Sequence, residues 1–375
     1  MINKQKTWIW QHPAWPIFSF QAEVILPELE KTIRIISPLN LLASELNTDK
    51  QLTLESQILL NEAMSSAKIE GEMLDRESVR SSIAKRMGIG RMRRSSRAAE
   101  AFIDVLLTSI RSCDSPLTES LLHNWHGVMF YEKPLLDDIL IGKYRNDSMQ
   151  ILSGHYGKHK IHFQAPCNNQ SCVKKEMTQF LNWINTESQM PDIIKAAIAK
   201  FWFVTIHPFD DGNGRLSRII AERVLMQNEV NPIRLYSISH EIEKNRNDYY
   251  KLLEKTQSTP YKNAETIDLS EWIIWFLQRV TDAATTSMKH LDKIRFSTGF
   301  WDKHRHTVLN KRQKKLISRL LETDDFEPAG ISRRKYKSMA HTTDITAARD
   351  LKDLVEKKLL IPSGEGRSRK YQLKS

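Results

Sequence analysis

The sequence predicts a mainly α protein with one β-hairpin and a small basic module towards its C-terminal end. Three observations carry that expectation. Apolar residues recur at helical spacing through most of the first 300 residues. One stretch, 142–166, changes period: Met149, Ile151, Ile161 and Phe163 alternate with polar residues around Gly154-His155-Tyr156-Gly157, which reads as a hairpin. The net charge is +11, and residues 301–375, with 19 Lys and Arg against 10 Asp and Glu, hold nine of those charges. A basic excess confined to one end suggests a separate module with an acidic partner.

A chain of 375 residues, 40% hydrophobic, has room for two or three domains. No apolar run reaches the roughly 18 residues of a membrane span. The start of the chain is aromatic (Trp8, Trp10, Trp15, Phe18, Phe20) without the charged-then-apolar pattern of a secretion signal. Three cysteines in a chain of this size imply a reducing, cytoplasmic setting with free thiols. Cys167 and Cys172 stand five apart with no second ligand pair nearby, so no zinc site is read.

In chain order, residues 7–20 are too aromatic and too punctuated by proline for a surface helix, and are expected as an extended structural arm packed on the body. Helices follow over 22–45 and 50–70. The second ends in Ser66-Ala-Lys-Ile-Glu70-Gly71, where Ser66 and Glu70 share a face and Gly71 is a stop signal. Residues 85–97 carry Lys85, Arg86, Arg91, Arg93, Arg94 and Arg97 with two glycines, and read as a basic loop. Helices are expected over 97–112 and 117–130, the latter capped by Thr118-Glu119, and, beyond the hairpin, over 170–186 and 191–206. A helix of about 240–257 carries Tyr249, Tyr250 and Gln257; two adjacent tyrosines on a helix face different ways. Residues 268–292, with Trp272, Ile273, Trp275, Phe276 and Val280, form an amphipathic helix that either closes the core or joins two chains.

The basic module reads as helices over 308–321 and 332–340, then a third from His341 with Ile345, Leu351, Leu354 and Val355 inward. A strand, a glycine turn and a strand complete it over 359–373. Helices followed by a basic hairpin resemble a winged helix-turn-helix. Thr342, Thr343, Thr346 and Arg349 would then face a DNA groove, and Arg367, Arg369 and Lys370 in the wing would meet phosphate. A protein partner is the alternative for the same module.

The densest chemistry lies in His207-Pro-Phe-Asp-Asp-Gly-Asn-Gly-Arg-Leu-Ser-Arg218, between two apolar helical runs. Gly212-Asn213-Gly214 lets backbone N–H groups approach a ligand, and a helix begins there, so its dipole favours an anion. Arg215 and Arg218 offer two guanidinium forks suited to phosphate. Asp211 is a hard oxygen ligand suited to Mg²⁺ on phosphates, and His207 can take a proton from a hydroxyl. Such parts describe nucleotidyl or phosphoryl transfer, where positioning and charge neutralisation do most of the catalysis.

These twelve residues resemble the signature of the Fic family, His-x-Phe-x-Asp/Glu-Gly-Asn-Gly-Arg-x-x-Arg, with every fixed position filled. Most members transfer AMP from ATP to a protein Ser, Thr or Tyr hydroxyl. The resemblance implies that His207 is the base, Phe209 anchors the loop and Asp211 holds Mg²⁺. It implies that Asn213 and the N–H groups of Gly212 and Gly214 hold the α-phosphate, with Leu216 and Ser217 on the same nucleotide face, and that Arg215 and Arg218 hold the β- and γ-phosphates. It makes the hairpin a flap that docks the target by strand addition, its tip residues Ser153, Gly154, His155 and Tyr156 touching nucleotide. Tyr249, Tyr250 and Gln257 would lie at the adenine. Lys200 stands where many members carry a His.

By the same resemblance, Ser66 to Gly71 look like the inhibitory motif Ser/Thr-x-x-x-Glu-Gly/Asn, in which Glu70 would pair with Arg218 and misalign ATP. The implied domains are an N-terminal extension over 1–96, a Fic domain over 97–292 and a winged helix over 300–375. The implied function is protein adenylyltransfer, self-modification included, with a homodimer possible and no membrane contact. The alternatives are removal of AMP from a modified protein and a nucleotide-sensing DNA-binding regulator.

Overall fold

A computed structural model describes residues 7–89, 95–131, 139–154, 160–186, 189–229, 233–258, 265–322 and 330–374, and among these the architecture is mainly helical. The chain forms two compact units, 1–287 and 288–375. The division falls inside one helix, Ser270–Lys303, which runs on beyond the expected end near 292.

In the first unit a short arm ends in strand β1 (Phe18–Ser19) and leads to helices α1 (Ala22–Ser44), α2 (Thr48–Ile69), α3 (Arg76–Met87), α4 (Arg97–Arg111) and α5 (Glu119–Phe130). The hairpin β2 (Gln150–Ser153) and β3 (Lys160–Gln164) comes next. Then follow α6 (Gln170–Asn185), α7 (Asp192–Ile206), α8 (Asn213–Met226), α9 (Ile238–Lys244), α10 (Arg246–Gln257), β4 (Ile267–Asp268) and α11 (Ser270–Lys303).

The core is the α7–α8 pair. Every residue of α7 from Ile194 to Ile206 is buried, as is every residue of α8 except Gly214. A helix buried on all sides sits at the centre of a bundle; α7 is mostly apolar, and the buried polar residues of α8, among them Arg218 and Arg223, are paired with neighbouring elements. The loop between them is therefore pinned at both ends. Helix α2 runs beside this pair and is fixed by Glu62, whose buried carboxylate accepts from the Ser237 hydroxyl (2.7 Å), the Ser239 N–H (3.0 Å) and the Ser239 hydroxyl at the start of α9.

The arm is structural, as expected. The Trp10 indole donates to the Gln164 carbonyl (2.7 Å), and Trp8 meets Phe163 edge-on at 5.5 Å, so both brace β3. Trp15 and Phe18 pack on Trp202 of α7, and β1 pairs in parallel with β4. The hairpin is antiparallel, with Gln150 opposite Gln164 and an irregularity between Ile151 and Leu152.

Two expectations are corrected in this unit. The stretch expected as a basic loop over 85–97 starts within a helix: Lys85 and Arg86 close α3 and pair with Glu100 (3.4 Å) and Asp104 (2.8 Å) of α4. Its Arg91, Arg93 and Arg94 lie outside the described residues. Cys167 and Cys172 are not free thiols but a disulfide, with only Cys113 free and buried. Cys167 takes a left-handed backbone, and Asn169 caps α6 by accepting from the Cys172 N–H (3.0 Å). That turn brings the two Cα atoms to 5.4 Å, inside bridging range.

The second unit contains the end of α11, then α12 (Lys311–Glu322), β5 (Ile331–Ser332), α13 (Arg333–Ala340), α14 (Asp344–Glu356), β6 (Leu360–Ser363) and β7 (Lys370–Leu373). Its three strands are ordered β5-β7-β6, all antiparallel. Leu316, Ile317, Tyr336, Ala347, Leu351 and Leu354 fill its core, and the buried Tyr336 hydroxyl donates to Asp350 (3.0 Å). Ile345, expected inward, is 75% exposed, and Ala347 takes the inward place. The cause is helical spacing: Ile345 stands six residues before Leu351 and nine before Leu354, about 120° and 180° round the helix, whereas Ala347 is four before Leu351 and shares its face. Among the described residues no helix is long and apolar enough to cross a membrane.

Candidate active site

The loop 207–212 leaves α7 through a residue with strained backbone. His207 caps α7 at φ 51°, ψ 59°, a left-handed conformation that a non-glycine residue adopts only when its surroundings impose it. Arg145 imposes it. This arginine is 1% exposed, and its guanidinium donates to the carbonyls of His207 (2.7 Å), Ile206 (3.3 Å), Cys167 (2.9 Å), Asp147 and Pro166. Its own N–H donates to the Pro208 carbonyl (2.9 Å). Burial lowers the Arg145 pKa to about 10, and it remains a cation at neutral pH.

His207 is 9% exposed, and burial pushes its imidazole down to about 4. Nδ1 lies 3.1 Å from the Val204 carbonyl. A carbonyl oxygen can only accept, so Nδ1 carries the proton and Nε2 is the basic nitrogen. The ring is neutral at physiological pH, the form a proton acceptor needs.

Phe209 is fully buried, stacked on His126 (4.3 Å, 11°) and tilted against Tyr144 (5.3 Å). Asn213 closes the loop: its Oδ1 accepts from the Phe209 N–H (3.0 Å) and its amide donates to the Phe209 carbonyl (2.7 Å). The Asn213 side chain is thus taken up by the loop backbone, which leaves its own N–H for an anion. Leu216 N–H is bonded to Gly212 O (2.9 Å), so the amides just before it belong to the first turn of α8, where intrahelical partners are lacking. Gly212 turns at φ 79° with Phe130 against it; a Cβ there would lie 2.6 Å from that ring. Asp211 accepts from the Gly212 N–H (2.6 Å) and lies 3.9 Å from Arg215.

A carboxylate already sits at this helix N-terminus. Glu70 Oε1 is 2.8 Å from Arg218 Nη2 and lies so close to Gly214 that a Cβ there would be 2.2 Å away. Arg218 also donates to the Ser66 hydroxyl (2.9 Å) and carbonyl (3.1 Å). Arg218 is 3% exposed, and its Nη1 has no hydrogen-bond partner among the described residues. Arg215 donates to both oxygens of Glu72 (2.9 and 2.8 Å) and lies 4.8 Å over the Phe130 ring.

One local motif delivers both carboxylates. Helix α2 ends at Ile69 with Glu70 as its C-cap; Gly71 takes φ 82°; its N–H bonds to the Lys68 carbonyl (3.1 Å) and the Glu72 N–H to the Ala67 carbonyl (3.0 Å). This is the Schellman pair of bonds. It reverses the chain so that the residues on either side of the glycine reach the two signature arginines.

The remaining expected residues divide. Ser153 and Gly154 lie on the exposed hairpin, with the Ser153 hydroxyl bonded to His162, which reaches Glu254 of α10 (2.8 Å). His155 and Tyr156 lie outside the described residues. Leu216 and Ser217 are turned into the core, Ser217 bonded to the Gly214 carbonyl (2.8 Å), so neither side chain reaches the loop face. Tyr249 is 2% exposed and accepts from Lys200 Nζ (2.9 Å). Burial lowers the Lys200 pKa well below the ordinary value, and the Arg218 cation lowers it further. Gln257 is buried on Thr205 (3.1 Å), whereas Tyr250 is 40% exposed and bonded to the Ile69 carbonyl (3.2 Å). Glu72, Arg145 and Phe130 were not among the expected residues. Glu72 had a faint signal, two positions beyond Glu70 across a glycine.

No set of three or more His, Cys, Asp or Glu side chains among the described residues could hold a metal. Asp211 is half-exposed beside Arg215. One such carboxylate fits Mg²⁺, which keeps several waters and takes its other ligands from phosphate.

Residues 116–225 match the family model described as Fic/DOC family, and residues 8–89 match one described as a domain of unknown function, DUF4172. Over 65 residues the chain is 37% identical to "Protein adenylyltransferase fic-1" of Caenorhabditis briggsae, a stretch covering 17% of this chain and 13% of that relative. A Fic family protein from Desulfovibrio desulfuricans G20 has the same fold at TM-score 0.56 and 18% identity, covering 96% of this chain and 98% of its own. A Fic domain containing signaling protein from Bacteroides thetaiotaomicron gives 0.53 at 18% identity, over 70% of this chain and 96% of its own. The chain therefore carries a Fic/DOC family domain, with the His207–Arg218 loop inside it.

Proposed function

We propose that the protein is an adenylyltransferase that moves AMP from ATP to a Ser, Thr or Tyr hydroxyl of a target protein, or of itself, and that Glu70 restrains it. The observation that carries the reading is the Glu70 carboxylate seated against Gly214 and paired with Arg218. An anion occupies the helix N-terminus beside a buried arginine, next to a neutral histidine with Nε2 available. Phosphate suits the same place.

In this reading His207 Nε2 takes the proton of the target hydroxyl as its oxygen bonds to the α-phosphorus. The bond from that phosphorus to the bridging oxygen breaks, and pyrophosphate leaves. The N–H groups at the start of α8 hold the α-phosphate; Arg215 and Arg218 take the charge on the outer phosphates. Asp211 would hold Mg²⁺, which supplies charge neutralisation on those phosphates. The hairpin, braced by Trp8 and Trp10, presents an edge for a target strand. Of the two tyrosines, Tyr250 keeps the exposed surface that contact with a base requires.

The test is incorporation of label from α-labelled ATP with Mg²⁺. Glu70→Gly should label itself or a lysate protein at least about tenfold more than the wild type, the ratio a 1.4 kcal/mol restraint would set. Adding His207→Ala should abolish it. No label in any variant would remove the adenylyltransferase reading and favour the regulator.

A second reading applies to residues 300–375. The order helix, strand, two helices, two strands, with a three-residue turn between α13 and α14, supports a winged helix-turn-helix. Thr343 and Arg349 are exposed there, as is Arg369 before β7; Arg367's side chain lies outside the described ones. DNA contact by this face is proposed beside the transfer activity.

A further inference from the structure

We propose that Glu72 is a specificity-determining residue of the nucleotide site: it competes with a nucleotide's second phosphate for Arg215, and so disfavours di- and triphosphates against a monophosphate. The proposal rests on the reading of Arg215 as a phosphate ligand.

Three observations support it. Both Glu72 oxygens lie on one nitrogen of Arg215, at 2.9 and 2.8 Å, so the carboxylate takes a donor that a phosphate would use. The side chain of Arg215 is 8% exposed, with Phe130 on one face and Asp211 at 3.9 Å, and Glu72 occupies its Nη1. Glu72 itself is 45% exposed, so it can swing into water when displaced. Its N–H, not its side chain, closes the α2 cap on Ala67, so release of the carboxylate leaves the cap intact.

The pair differs from Glu70–Arg218 in what it can sense. Glu70 lies on Gly214, over the helix N-terminus itself, and opposes any phosphate placed there. Glu72 engages Arg215 away from that glycine. A ligand with a single phosphate on the α8 amides leaves Glu72 in place, whereas one with two or three must displace it.

Glu72→Gln keeps the side-chain length and the cap and removes the charge. The affinities of AMP, ADP and ATP should be measured with Mg²⁺ in four proteins: wild type, Glu72→Gln, Glu70→Gly and the double variant. Glu72→Gln should tighten ADP and ATP by roughly five- to tenfold, the worth of a half-exposed charge-assisted pair. AMP should change less than twofold, or stay undetected throughout. Equal changes in all three nucleotides would mark a structural role and overturn the proposal, as would unchanged ADP and ATP. Transfer by Glu70→Gly with Glu72 intact judges the activity separately, because the affinity pattern decides the role of Glu72 whether or not label is incorporated.

Discussion

The arginines around the His207 loop and the exposed arginines of the second unit do opposite things. In the first unit, Arg145, Arg215 and Arg218 are buried at the His207 loop, Arg145 held by carbonyl oxygens, Arg215 by Glu72 and Arg218 by Glu70 and Ser66. In the second, Arg333, Arg334, Arg349 and Arg369 are exposed, and the Arg333–Asp344 pair keeps both partners more than half exposed at 3.4 Å; Arg312, paired with the buried Asp350 at 2.9 Å, is the exception. A buried guanidinium fixes geometry, because each lost bond strands a carbonyl or a charge. An exposed one adds to a long-range field that salt screens. Substitutions in the first unit should therefore register in folding and in site geometry. Substitution of the exposed arginines of the second unit should register chiefly in association.

Arg145 gives the sharpest break of that contrast. Arg145→Leu removes the donor for five carbonyls around the His207 turn while filling similar space. The expected cost is about 3 kcal/mol or more, as a fall in the denaturant midpoint without a change of slope. Transfer in a Glu70→Gly background should fall with it. A protein that keeps its midpoint would show that the strained His207 backbone is held by the α7–α8 packing instead.

What could be read from the sequence follows the same division. The α7–α8 core was legible because a buried helix pair announces itself in apolar spacing. The Glu70–Arg218 pair was legible because a motif fixes its ends, and the two side chains meet at 2.8 Å. Arg145, at the start of the 142–166 stretch, takes no part in the sequence reading, since nothing in a linear string separates an arginine that clamps carbonyls from one in solvent. Glu72 lay beyond a helix stop, and its direction depends on the left-handed Gly71 turn, which is a three-dimensional fact. The cysteine pair was misread because five-residue spacing says nothing until the α6 cap folds the turn. Ile345 was misplaced because apolar character was read ahead of spacing: it lies about 180° round α14 from Leu354, and the small Ala347 holds the inward place instead.

A smaller effect tests the buried side through pH. Burial holds both His126 and His207 down at about 4, against an ordinary value of 6.5. Between those values the unfolded chain takes up protons that the folded chain refuses. Stability should therefore fall as pH drops from 6.5 towards 4, by up to about 1.4 kcal/mol per pH unit for each histidine, with no contribution above that window. His126→Gln should remove one share, seen as a shallower fall of the denaturant midpoint between pH 6.5 and 4.5. An unchanged slope would mean that this ring titrates in the ordinary range and that its stack on Phe209 leaves it open to water.

The smallest effect on folding belongs to the exposed side. Arg349 projects from α14 into solvent, so Arg349→Ala should shift stability by no more than about 0.5 kcal/mol. If the α14 face meets DNA, the same change should weaken retardation of a duplex across unrelated sequences. It should also lower the dependence of log affinity on log salt by about one phosphate contact. Thr343 is the internal control: its hydroxyl caps α14 and is bonded to that of Thr346 (2.9 Å), so Thr343→Ala should cost about 1 kcal/mol of stability, the worth of an N-cap. A wild type that fails to retard DNA at low salt would remove the nucleic-acid reading, and the basic face would then have to be explained by an acidic protein surface. Retardation that survives Arg349→Ala with its salt slope intact would instead move the contact off α14, towards Arg369 and Lys370 beside the β6–β7 turn.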